Sequence, residues 1–324
     1  MRSLGRRSCL ALLATAAVSL NPLGTPASAQ IKGLEIIAPA NPGGGWDQTA
    51  RTLQFLLQER GLASGVQVKN IAGAGGTVGL AQFVTAKRRG NAILVAGQVM
   101  QGAIISNKSP VTLAEVTPLA RLTGEYELIA VPADSPIRSM GDLVASLKAN
   151  PGAVAWGGGS AGGTDHILAG LIAKAVGVDP AKVNYIAHSG GGEALASILG
   201  GHVTAGVSGV QELLPQVAAG KLRAIAISSG ERLPGVDVPT LKEQGIDVAF
   251  VNWRGVMASP GIRDADRRTL EDMIAALVAS DQWKATLAER KWVDLYQPAK
   301  AFAAFLKQEE AQIAGTLKDL GLAR

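Results

Sequence analysis

Short apolar runs alternate with glycine-rich loops and amphipathic helical stretches along almost the whole chain. The apolar run 34–38 leads into Asn41-Pro42-Gly43-Gly44-Gly45-Trp46-Asp47, and a helical pattern leaves it over 48–59. Val66-Gln67-Val68-Lys69-Asn70-Ile71 alternates at the period of a strand. It is followed by Gly73-Ala74-Gly75-Gly76 and a helix through Leu80, Phe83 and Val84. Lys87-Arg88-Arg89-Gly90-Asn91 reads as a solvated turn, 92–97 as a strand, and Gln98-Val99-Met100 as the start of a short helix. Up to Leu122 this is strand, loop, helix repeated, as in a parallel sheet.

A second series begins at the apolar run 128–131, which ends in Pro132. Ser139 caps a helix over 140–149, and Asn150-Pro151-Gly152 stops it. Strands at 154–156, 184–187 and 203–207 each run into a loop of small residues: 157–164, His188-Ser189-Gly190-Gly191-Gly192-Glu193, and Ser208-Gly209. Helices follow each loop, and 224–228 is a further strand. A strand at 250–256 and helices at 265–279, 282–290 and 299–320, with charged faces, close the chain. The fold expected is α/β, with two lobes and a cleft between them. The divisions are 1–29, 30–129 with 251–324, and 130–250, and hinges are expected near 130–132 and 250–253.

Composition adjusts this picture in three ways. With 47% hydrophobic and 18% charged residues, the 324-residue chain has a soluble composition with enough core for two domains. Arg2, Arg6 and Arg7, a short apolar core at 9–20 and Ala27-Ser28-Ala29 read as a secretory signal cleaved before Gln30. Export by the general secretory route to the periplasm is expected, and Arg6-Arg7 also permits the twin-arginine route. Removing 1–29 takes three arginines and no acids from the net charge of +5, leaving +2. Nothing resembles a basic, aromatic-laced nucleic-acid surface. The single cysteine, Cys9, leaves with the signal, so no disulfide or thiolate chemistry is expected.

The loops at strand ends are the candidate chemistry. Helix N-termini attract anions through free N–H groups and the macrodipole, and glycine lets a ligand approach the backbone. The alternatives are weaker. Gly158-Gly159-Ser160-Ala161-Gly162 matches a nucleophile elbow, but no histidine lies in the C-terminal third, so a Ser160 esterase lacks its partners. Gly73-Ala74-Gly75-Gly76-Thr77-Val78 has Val78 where a dinucleotide fingerprint needs glycine. His166, His188 and His202 have no metal-ligand spacing. Neither cofactor nor metal is expected. Ser160 and Thr164 read as hydroxyl donors, and His188 sits in a cleft loop. Asp47 either caps the first helix or holds water. Trp46 either walls the cleft or packs in the core. Arg51 and Arg254 are candidate carboxylate partners, with an outer salt bridge the alternative for Arg51.

Asn41-Pro42-Gly43-Gly44-Gly45-Trp46-Asp47-Gln48-Thr49-Ala50-Arg51, Gly73-Ala74-Gly75-Gly76-Thr77, the run from Gly158 to His166, Ser189-Gly190-Gly191-Gly192-Glu193-Ala194 and Asn252-Trp253-Arg254-Gly255 together resemble the substrate-binding proteins of tripartite tricarboxylate transporters, the Bug family, and its tricarboxylate branch in particular. The resemblance covers essentially the whole chain after residue 29. Arg89-Gly90-Asn91 departs from the acidic turn often found there. The resemblance implies a periplasmic binding-protein clamshell of type II-like form with two hinge crossings and no enzymatic activity. It implies water-bridged carboxylate binding at Pro42, Gly43, Gly44, Gly45, Trp46 and Asp47 and at Gly73, Ala74, Gly75 and Gly76. From the other lobe it implies Ser160, Gly163, Thr164, Ser189, Gly190 and Gly191. Gln98, His188, Ser208 and Arg254 complete the candidate site. The expected function is capture of citrate or a related di- or tricarboxylate by a monomer, and delivery to one large and one small membrane subunit. A sensor feeding a membrane kinase is the alternative with the same fold.

Overall fold

The computed structural model describes residues 30–86 and 90–323. The signal segment 1–29 and the Lys87-Arg88-Arg89 part of the expected turn lie outside them. In chain order the first elements are β1 (Ile31–Lys32), β2 (Glu35–Ala38), α1 (Gly45–Glu59), β3 (Ala63–Ser64), β4 (Gln67–Asn70), α2 (Thr77–Thr85), β5 (Ala92–Gly97), α3 (Gln98–Ser106) and β6 (Thr117–Glu125). Then come β7 (Glu127–Pro132), α4 (Met140–Ala149), β8 (Ala155–Gly158), α5 (Thr164–Ala175), β9 (Asn184–Ala187), α6 (Gly191–Leu199), β10 (Ala205–Gly209), α7 (Val210–Ala218) and β11 (Leu222–Ile227). The last are β12 (Asn252–Ala258), α8 (Asp264–Val278), α9 (Asp281–Glu289), β13 (Val293–Pro298) and α10 (Ala299–Asp319).

Two main sheets result. The first has the order β13-β6-β12-β5-β2-β4, and the second β11-β7-β10-β8-β9. In each, three strands run parallel: β4, β2 and β5 in one, and β9, β8 and β10 in the other. Antiparallel strands complete both, with β12 on β5 and β7 on β10. The chain passes from the first sheet to the second at Tyr126 and is back in the first at Asn252.

Local sequence explains the elements. Every residue of β5 is buried, as a central parallel strand requires. Helix α1 buries Trp46, Thr49, Ala50, Leu53, Leu56 and Leu57, a stripe at helical spacing against the first sheet. Helix α4 begins where Ser139 announced it. The Ser139 hydroxyl accepts the Asp142 N–H at 3.2 Å, and the Asp142 carboxylate accepts the Ser139 N–H at 3.0 Å. Helix α1 starts three residues earlier than the pattern suggested, so Gly45, Trp46 and Asp47 form its first turn. The first lobe is also less parallel than read: β6 and β13 are antiparallel strands that the sequence pattern did not reveal.

Helix α10 ties the lobes together. Its Ile313 and Leu317, with Leu320 just beyond, pack with Ile167 of α5, and Lys174 pairs with Asp319 at 2.5 Å.

Candidate functional site

The loops that follow β2, β4, β8, β9 and β10 line one cavity of about 590 Å³ between the sheets. Five helices start on its wall, and each has a glycine at its N-cap: Gly44 for α1, Gly76 for α2, Gly163 for α5, Gly190 for α6 and Gly209 for α7. None is capped by a side chain. Away from the cavity, Ser139 and Ser280 cap α4 and α9 with their hydroxyls. A helix start has N–H groups with no intrahelical partner. At α7 the first N–H groups are already taken, Val210 by the Tyr126 carbonyl at 3.1 Å and Gln211 by Glu125 at 3.0 Å. At the other four starts the N-cap side chain is missing, so those donors and the positive ends of the dipoles are left to whatever enters.

Of the residues marked from sequence, Gly44, Gly45, Trp46, Gly73, Ala74, Gly75, Gly76, Ser160, Gly163, Thr164, Ser189, Gly190, Gly191, Ser208 and Arg254 line the cavity. Pro42, Gly43, Asp47, Gln98 and His188 do not. Pro42 and Gly43 are exposed. Gln98 is buried and faces a smaller cavity with Arg121, Trp253 and Glu309. His188 turns its Nδ1 to the Gly158 carbonyl at 2.9 Å.

Asp47 is a structural staple. Its carboxylate accepts the Gly43 N–H at 2.8 Å, Arg51 Nε at 2.9 Å and Asn70 Nδ2 at 2.8 Å, tying the glycine loop to the end of β4. Burial pushes its pKa up, but these hydrogen bonds win and hold it below the usual range. Arg51 is half exposed and makes its bridge on the outside. Trp46 is both wall and core. A Cβ at Gly76 would stand 2.6 Å from its ring, and one at Gly97 2.8 Å from its Nε1, so two glycines make its berth.

Arg254 enters from β12. A Cβ at Gly45 would lie 2.3 Å from its Nη2, so a bare backbone there lets the guanidinium reach the wall. Nη2 donates to Glu125 at 2.5 Å, and buried Nη1 has no partner. Sequence reading missed the acids around it. Glu127, Asp165 and Glu212 line the cavity with Arg254, and Asn41, Asn107 and Asn252 add amides. A sequence cue existed for two. Asp165 and Glu212 sit in the first turns of α5 and α7, where the dipole favours acids. Nothing local marks Glu127.

Burial and the neighbouring acids set the electrostatics. Glu127 is pushed well above the carboxylate range, first by desolvation and then by the charges of Asp165, Glu125 and Glu212. Desolvation, with Glu212 and Glu125, takes Asp165 to about 7 against the hydrogen bond from Gly159 N–H. Burial and Glu125 also raise Glu212, which accepts from the Ser208 hydroxyl. No histidine lies on the wall. His166 stacks on Tyr185 at 4.1 Å, and burial lowers its pKa to about 4. Ser160 therefore shares the cavity with no histidine base, and among the described residues no group of acids, histidines and cysteines is arranged to hold a metal.

Residues 49–322 match the model of the tripartite tricarboxylate transporter family receptor. Protein BugT of Bordetella pertussis is 32% identical over 235 residues, covering 70% of this chain and 71% of BugT. Among solved structures, a TctC solute-binding protein from Polaromonas without ligand aligns over 89% of this chain and 99% of that one, at 27% identity and TM-score 0.67. The R. palustris protein Rpa4515 with adipate aligns over 90% and 98%, at 21% identity and TM-score 0.80.

Proposed function

The chain belongs to the tripartite tricarboxylate transporter receptor family, periplasmic solute-binding receptors rather than enzymes, and on that premise we propose that it captures a small carboxylic acid between its two lobes and hands it to a membrane transporter of one large and one small subunit. The observation that carries this reading is the set of five glycine-capped helix starts on one cavity wall. Four of them, all but that of α7, where Glu125 accepts the Gln211 N–H, offer N–H donors with no competing side chain, the chemistry a carboxylate requires. The cavity is of a size that encloses a small organic acid.

Citrate, the acid expected from the sequence, stands at the charged end of this class. It would bring three carboxylates toward Glu127, Asp165 and Glu212, so the wall supports an acid with fewer negative charges. The adipate in the R. palustris structure is a dicarboxylate and fits that direction. The lobes close about the two points where the chain changes sheet, Tyr126 and the segment before Asn252. The receptor works as a monomer after export by the general secretory route.

A thermal-shift screen of the purified protein tests the class. At about 100 times its Kd a bound acid adds about 2.7 kcal/mol, several degrees in Tm. A rise with at least one small carboxylic acid is expected. No rise with citrate, tricarballylate, succinate, malate, glutarate, adipate, the common amino acids or aromatic acids overturns the reading.

A further inference from the structure

The cavity wall carries more carboxyl groups than a site for a simple polyanion can use. Glu127, Asp165 and Glu212 line it, Glu125 stands behind Arg254, and Arg254 is the one cation among the described lining residues. The positions are built for these groups. A Cβ at Gly191 would lie 2.4 Å from the Glu212 carboxylate, and one at Gly209 2.7 Å from that of Glu125.

Counting partners separates the groups that are spent from those that are not. Glu125 holds Arg254 and accepts the Gln211 N–H at 3.0 Å. Asp165 accepts the Gly159 N–H at 2.6 Å, and Glu212 the Ser208 hydroxyl. Glu127 accepts Asn252 Nδ2 at 3.1 Å through Oε1, while its Oε2 is fully buried with no partner. On the same wall Arg254 Nη1 and the Thr164 hydroxyl are buried and unpartnered. A buried acceptor and buried donors left unpaired are both costly, and one occupant satisfies both when it carries a donor as well as an acceptor.

We propose that the acid this receptor takes carries a protonated nitrogen as well as a carboxylate. The nitrogen faces Glu127, Asp165 and Glu212, and the carboxylate faces Arg254 and the glycine-capped start of α1. This rests on reading the cavity as a carboxylate site. It goes beyond it by assigning the acidic wall to an organic cation. A metal ion is not the occupant favoured, because no group of acids here is arranged to hold one. The raised pKa of Glu127, Asp165 and Glu212 agrees: without a cation, burial and mutual repulsion disfavour the charged form of each. An ammonium group favours those charged forms, so binding strengthens as pH rises. Glu125, Arg254 and Tyr185 are the other charged or titratable groups acting on these acids, and burial pushes the Tyr185 hydroxyl further up.

The test is titration calorimetry and thermal shift on the purified full chain at about pH 6 and about pH 8. The probes are the common L-amino acids and 4-aminobutyrate, their amine-free counterparts succinate and glutarate, citrate, and putrescine. An amine-bearing acid is expected to bind about tenfold or more tighter than its amine-free counterpart, and tighter at the higher pH. Glu127→Gln and Glu212→Gln are each expected to weaken that acid about tenfold without lowering the melting temperature of the empty protein. Tighter binding of glutarate, succinate or citrate, improving toward low pH, overturns the inference: it is the signature of a protonated Glu127 donating to a carboxylate, and the carboxylate reading stands. Binding of putrescine alone overturns the carboxylate reading and keeps the acidic wall as a cation site. Silence from every probe overturns both.

Discussion

Arg254 Nη2 lies 2.5 Å from Glu125 Oε2, with the two side chains only 5% and 4% exposed. The arginine that sequence offers as a free anchor for ligand is thus already half committed. Its second amino group, Nη1, is what remains for an incoming carboxylate. Breaking a buried pair leaves an uncompensated charge, which costs about 3–5 kcal/mol. Arg254→Ala is expected to lose stability on that scale in urea unfolding, because Glu125 is left among three other acids. Arg254→Met with Glu125→Leu is expected to recover most of it. A double variant no better than the single would show that the pair is not the source.

Gly45→Ala tests the same guanidinium from the other side. The new methyl would stand 2.3 Å from Nη2, so the guanidinium must shift. Loss of about 1–3 kcal/mol from overpacking is expected, together with loss of the ligand-induced rise in Tm. Retained ligand binding would remove Arg254 from the site.

Asp47→Ala cuts the staple of the glycine loop and is expected to cost about 3 kcal/mol, since hydrogen bonds to a charged group are lost. The sign in pH follows from the lowered pKa of Asp47. Its contribution is fully present above the unfolded value of about 3.9 and is lost as pH falls through the lower folded value. The gap between wild type and variant in denaturant titrations should therefore close on the acid side.

Asp165 has the opposite sign. Its folded pKa is about 7 against 3.8 for a free side chain, so between these values the native state keeps a proton that the unfolded chain has lost. Stability from this group is present below about pH 4 and falls as pH rises toward 7, by up to about 1.4 kcal/mol per unit. His166 runs the other way: lowered to about 4, it makes the fold more stable as pH rises from 4 toward 6.5. Asp165→Asn is expected to gain on wild type steadily across pH 4 to 7 in unfolding measurements and then level off. A difference that stays flat with pH would refute the shift.

Gly76→Ala joins two costs. The residue has φ +91°, and its Cβ would meet the Trp46 ring at 2.6 Å. Left-handed backbone alone costs about 1–2 kcal/mol with a side chain present. A lowered melting temperature and a changed tryptophan emission are expected, because Trp46 loses its berth on the wall.

Much of the scaffold is legible in the chain. Helix α4 starts at Ser139 because a capping box is a contact over three residues. β5 reads as a buried strand because its six residues are uniformly apolar or small. β6 does not, since Thr117-Pro118-Leu119-Ala120-Arg121-Leu122-Thr123 mixes types, and its strand character comes from pairing with β12 and β13, more than a hundred residues on. The site divides the same way. Most of the glycine and hydroxyl positions marked in the loops lie on the wall. Pro42, Gly43 and Asp47 belong to the same motif yet do not line it, since a loop has two sides and sequence does not say which one meets the other lobe.

The sequence by itself determined that glycine loops at strand ends lead into helices, because the freedom of glycine and the exposure of first-turn N–H groups are properties of a few neighbouring residues. Only the tertiary structure decided the charge of the cavity. Glu125, Glu127, Asp165, Glu212 and Arg254 come from β6, β7, α5, α7 and β12, and the Arg254–Glu125 partners are 129 residues apart. Charges interact through distance and burial rather than order in the chain, so a run of glycine loops that reads as an anion site becomes, once the strands are paired, a site with an acidic wall.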